Sequence, residues 1–182
     1  MCDIIGLESL CDEITFAQLA SSTTGHPTEL DTVGTLGSPS TNPTFSAILG
    51  PFYRPNAPIL PRNASIIQPN SLPPNLPADH TYLHGQVLSS ANGKPIEGAE
   101  IDIWHTAPNG LYEQQDPNQP DMNLRGRFHT DSNGEFGLYC LRPTSYPIPD
   151  DGPAGKLLAM LDRHPMRPAH IHFIVSTYIF HW

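Results

Sequence analysis

Proline recurs 21 times in 182 residues, with 14 glycines among them, so stretches long enough for a regular helix are scarce. A chain punctuated this often builds short strands joined by turns. One exception stands near the start. Ile4, Leu7, Cys11 and Ile14 form an apolar stripe at helical spacing, which predicts a helix over 4–20 with Asp3 placed to cap it. Such a stripe must be buried, against the main domain or a second subunit. Residues 21–44 change to Ser, Thr, Gly and Pro, the composition of a flexible linker or insertion.

Residues 45–79 read as irregular, and short strands follow. Residues 81–88 alternate moderately, and Ala91-Asn92-Gly93-Lys94 supplies a turn. Residues 99–104 alternate clearly, with Ile101 and Ile103 on one face. Asp131-Ser132-Asn133-Gly134 separates strands at 124–129 and 135–141, predicting a hairpin-type connection. A further strand spans 170–175, and 155–161 suits a single helical segment. The expected fold is mainly β, a β-sandwich domain over 45–182.

Charge narrows the function. With 18 acidic against 9 basic residues, a net charge of -9 and no basic cluster, nucleic acid and anionic membrane are poor partners. No apolar run is long enough for a transmembrane segment, and the N-terminus lacks a signal pattern. Cys2, Cys11 and Cys140 are odd in number and lack metal-site spacing, so free thiols in the cytoplasm are the simplest reading.

The chemistry concentrates in Arg167-Pro168-Ala169-His170-Ile171-His172-Phe173. On an extended strand His170 and His172 present two imidazoles to the same side. By itself such a pair is more often two polar residues sharing a face. Joined by two tyrosinates, from Tyr112 and Tyr146 upstream, it would make an N2O2 site with two negative charges, better suited to trivalent iron than to zinc.

These segments resemble the intradiol ring-cleavage dioxygenases, non-haem Fe(III) enzymes that open catechols between the two hydroxyl-bearing carbons. The resemblance is carried by Gly50-Pro51-Phe52-Tyr53, by Gly93-Lys94-Pro95-Ile96-Glu97-Gly98-Ala99 running on to Ile103-Trp104-His105, and by Asn109-Gly110-Leu111-Tyr112. It continues through Arg142-Pro143, Tyr146-Pro147-Ile148-Pro149-Asp150-Asp151-Gly152-Pro153, Arg163-His164-Pro165 and the segment from Arg167 to Phe173. It covers about 45–175 and the helix around Ile5-Gly6-Leu7-Glu8. The Tyr-Pro-Ile-Pro and Arg-His-Pro forms look closer to the hydroxyquinol and chlorocatechol branch than to the plain catechol branch.

The resemblance implies that Tyr112, Tyr146, His170 and His172 bind the iron, Tyr112 and His170 equatorially and Tyr146 and His172 axially. It implies that Tyr146 also acts as an internal base for the diol, and that Arg167 places its cation beside the substrate ring. Ile48, Leu49, Gly50, Pro51 and Phe52, with Ile148 and Pro149, match the pocket wall. The substrates would be a small aromatic diol and dioxygen, the product a muconate-type dicarboxylate. Asp3 lies where the family's helix nears the pocket. His105 reads as strand packing, and His26, His80, His84, His129, His164 and His181 as structural or exposed.

The chain departs from the family at both ends. Members begin with a larger helical domain that pairs across a homodimer, and 1–20 resembles only its last helix, so the dimer is expected to lack its usual basis. After Val175 the residues through Trp182 do not resemble the family's continuation, which includes a pocket glutamine. The chain reads as shortened at both ends. Other readings remain: a non-catalytic β-sandwich binding module, an inactive shortened product, and, less favoured, a zinc hydrolase built on the histidine pair.

Overall fold

The computed structural model describes residues 49–69 and 79–177, together with Thr44, Ala47 and Ser71. The expected helix over 4–20, nearly all of the expected linker over 21–44 and the tail from 178 lie outside the described residues. Among the described residues seven strands are present: β1 (His80–Gln86), β2 (Glu100–Trp104), β3 (Arg125–His129), β4 (Glu135–Leu141), β5 (Tyr146–Pro147), β6 (Met166–Arg167) and β7 (His172–Ser176). A 3-10 turn, Glu113–Gln115, and one helix, α1 (Pro153–Met160), complete the elements. Pro153 opens α1 at the first helical position, where a missing N–H costs nothing.

The fold is a mainly β sandwich. One sheet has the order β3-β2-β7 and packs across a pair made of β1 and β4; β5 and β6 form a separate two-residue ladder. Ile101 and Ile103 of β2 and Phe128 of β3 meet Leu138 and Cys140 of β4 in the interior, each 1% exposed or less. Burying one such side chain contributes roughly 2 kcal/mol.

Strand β2 is central in its sheet and covered on both faces. Its Ile101 and Ile103 face the sandwich interior, whereas Trp104 faces a second cluster with Tyr112 and Tyr146. Irregular residues 58–66 seal one side of the sandwich. They bridge β3 at Ile59↔Arg127 and β4 at Ser65↔Tyr139.

Two expectations need correction. The Asp131–Gly134 turn forms, with Asp131 Oδ1 accepting the Asn133 and Glu135 N–H groups at 2.9 Å. It does not make a hairpin, however, because β3 pairs with β2 and β4 pairs with β1. The turn is a corner between sheets: Phe128 and Leu138, on either side of it, both bury into the same interior. Secondly, the last strand begins at His172 rather than His170. Its partner β2 ends at Trp104, opposite His172, which leaves no ladder for His170 to join.

Candidate active site

The aromatic cluster beside Trp104 is assembled from four elements. Tyr112 precedes the 3-10 turn, its backbone N–H donating to Gln115 Oε1 at 3.1 Å. Tyr146 comes from β5, where it pairs with Arg167 of β6. His170 lies in the loop before β7 and His172 opens β7. Gly110 has φ +80°, and a Cβ there would stand 3.0 Å from Tyr146 Cβ, so a glycine permits the two segments to approach.

The four side chains form one chain of ring contacts. Tyr112 meets Tyr146 edge-on at 6.0 Å, Tyr146 meets His170 at 5.5 Å, and His170 meets His172 at 4.8 Å. Both tyrosines are buried. Tyr146 Oη lies 3.5 Å from His170 Nε2 and accepts a hydrogen bond from an Arg167 terminal nitrogen at 2.9 Å. His170 Nδ1 donates to the Pro168 carbonyl at 2.6 Å, which fixes the tautomer and leaves the Nε2 lone pair facing Tyr146.

Electrostatics favour a neutral imidazole at His172 and a protonated phenol at Tyr112. Burial, with His170 next in weight, pulls the His172 pKa down to about 4, so its ring is neutral at physiological pH. Burial first, then the hydrogen bond with Tyr146, holds the Tyr112 phenol above its usual range. A bound cation reverses that preference, because its charge lies next to the phenolate. Two phenols and two neutral imidazoles fit a hard-to-intermediate trivalent ion. Among the described residues no three His, Cys, Asp or Glu side chains gather as a metal site, so zinc's usual donors do not converge.

The other expected residues are less uniformly placed. Phe52 stacks on Tyr112 at 4.5 Å and 22°. A Cβ on Gly50 would lie 3.6 Å from His172 Cε1, so that backbone abuts the site. Leu49, Pro51 and Pro149 are exposed, Ile148 is half-buried with its N–H on the Pro165 carbonyl at 3.0 Å, and Ile48 lies outside the described residues. His105 packs in the interior, with Nδ1 on the Thr106 carbonyl at 2.8 Å.

Three supports went unread in the sequence. Trp104 lies flat on His172, 4.7 Å away with 3° between planes. Tyr53 leans on Trp104 at 5.2 Å, its hydroxyl donating to Asp102 at 3.4 Å. Arg125 points inward over Tyr112. Alternation in β2 places Trp104 on the face away from Ile103, but the register that sets it opposite His172 is a tertiary fact.

The sequence and fold have counterparts among known proteins. The Dioxygenase family model matches residues 48–181. Intradiol ring-cleavage dioxygenase prcA of Aspergillus niger is 45% identical over 97% of this chain and 49% of its own length. Catechol 1,2-dioxygenase of Candida albicans is 44% identical over 97% of this chain and 50% of its own. The crystal structure of catechol 1,2-dioxygenase from Pseudomonas arvilla C-1 superposes with a TM-score of 0.76 at 31% identity, covering 97% of this chain and 50% of that one. The chain thus spans about half the length of the curated relatives it matches. A sandwich on which two tyrosines and two histidines converge, matched at this level throughout, makes the chain a member of the intradiol ring-cleavage dioxygenase family.

Proposed function

We propose that Tyr112, Tyr146, His170 and His172 hold a non-haem Fe(III), and that the protein cleaves catechol or hydroxyquinol with dioxygen between the hydroxyl-bearing carbons. The observation that carries this reading is the unbroken run of ring contacts through the four residues, with Arg167 on the Tyr146 oxygen. Bound iron would supply Lewis acidity and a template for the diol.

The chain's own groups supply the rest. Tyr146 Oη is the base for one diol proton, and Arg167, donating to that oxygen, stabilises it while it carries negative charge. Once the proton has moved, the same guanidinium favours charge on the substrate ring. Trp104 fixes the plane of the His172 ring, and the Pro168 carbonyl fixes that of His170. Phe52 and the Gly50 backbone offer an apolar wall to a flat ring. In this reading the catalytic domain is 45–182 and the compartment is the cytoplasm, where the unpaired Cys140 stays reduced.

Purified protein loaded with iron should be red from tyrosinate-to-iron charge transfer, shift its spectrum with catechol and consume oxygen. Tyr146→Phe should lower kcat at least ~100-fold, the scale of a lost base. A colourless protein that takes up no Fe(III) under these conditions would refute the assignment.

A further inference from the structure

Each tyrosine of the site carries an arginine over its ring, at nearly the same distance. The Arg125 Cζ is 5.8 Å from the Tyr112 centroid, and the Arg167 Cζ is 5.7 Å from that of Tyr146. Their restraint differs. Arg125 has a side chain only 1% exposed, with Nε on Glu113 Oε1 at 2.8 Å and a terminal nitrogen on Gln114 Oε1 at 3.2 Å. The Glu113 side chain, 2% exposed, takes Arg54 on the same oxygen at 2.8 Å, and Arg54 also pairs with Asp121 at 2.7 Å. Arg167, by contrast, is half-buried and donates to the Tyr146 hydroxyl itself.

We propose that Arg125, anchored by Glu113 and backed by Arg54, is a positioning residue that holds Tyr112 as the phenolate donor that stays in place throughout the reaction. This rests on the ferric reading given above. A guanidinium bonded to the mobile oxygen can follow it; one locked in a buried carboxylate pair cannot, so its field on Tyr112 is constant. In a poorly screened interior a fixed cation about 6 Å from the ring lowers the energy of charge held there and weakens its donation to a metal. Backbone geometry is consistent with a specified inward aim. Leu124, just before Arg125, is buried with φ +58°, a conformation a leucine rarely adopts.

The test uses the full chain loaded with Fe(III). Arg125→Gln should move the charge-transfer band to longer wavelength, because the phenolate then donates more strongly. Arg125→Lys, which keeps the cation, should restore the band. A purely structural ion pair would leave the band unmoved, and a wild-type band in Arg125→Gln overturns the proposal. If that variant does not fold, the double variant Glu113→Gln/Arg125→Gln leaves no unpaired charge from this pair, and a wild-type band in it overturns the proposal equally. A wild-type protein that takes up no iron refutes the ferric reading itself, and this inference with it; a coloured wild type with an unresponsive Arg125→Gln refutes only this one.

Discussion

His105 shows how a residue without ligand spacing can still govern behaviour. It is 2% exposed, its Nε2 has no hydrogen-bond partner among the described residues, and burial lowers its pKa to about 4. The unfolded chain accepts a proton on this ring near pH 6.5, while the folded state refuses it until about pH 4. The unfolded state therefore binds more protons in that window, so stability is full above pH 6.5 and is lost as pH falls toward 4, by roughly 3 kcal/mol at most. His105→Asn, whose amide can reach the same Thr106 carbonyl, should flatten the fall in urea midpoint between pH 7 and 4.5. At this scale much of the site was legible, since Tyr112, Tyr146, His170, His172 and Arg167 stand in motifs. Arg125 and Trp104 were not, because a strand pattern gives the face of a residue without saying what covers that face.

Among the elements, the Asp131–Gly134 corner makes a double demand on the chain. Gly134 has φ +71°, and a Cβ there would stand 2.5 Å from the Val87 carbonyl oxygen and 3.0 Å from Pro95 Cβ. Backbone strain and a clash with main chain add together, so Gly134→Ala should cost roughly 2–3 kcal/mol, read as a lower urea midpoint with the candidate site unaltered once folded. The turn residues announced the reversal, yet not the destination of the strands. Asx chemistry at Asp131 acts over four residues; partner choice is set by where Phe128 and Leu138 find cover, and that depends on the whole sandwich. The same holds for 58–66, where proline and asparagine hide a segment that edges both sheets.

Across the whole molecule, one side of the sandwich is sealed by 58–66 and the other is open among the described residues. Among the described residues strand β7 pairs with β2 on one edge only, and its Phe173 and Val175 lie opposite Ile103 and Ile101 on the interior face of the sheet. They are nevertheless 42% and 50% exposed, with Phe136 touching Phe173 ring to ring at 6.4 Å. An unpaired edge with an apolar face invites association. Light scattering should show the chain's apparent mass rising with concentration, and Val175→Lys should suppress the rise; equal scattering from both proteins would show that this edge is not the contact. The sequence by itself determined the short-strand architecture, through its prolines and glycines, and the identities of the candidate site residues, through local motifs. Tertiary structure alone decided which strands pair, which arginine is locked and which follows its tyrosine, and which inward-facing side chains go uncovered. Each of these depends on residues distant in the chain being brought within van der Waals or hydrogen-bonding reach, and no local pattern encodes that.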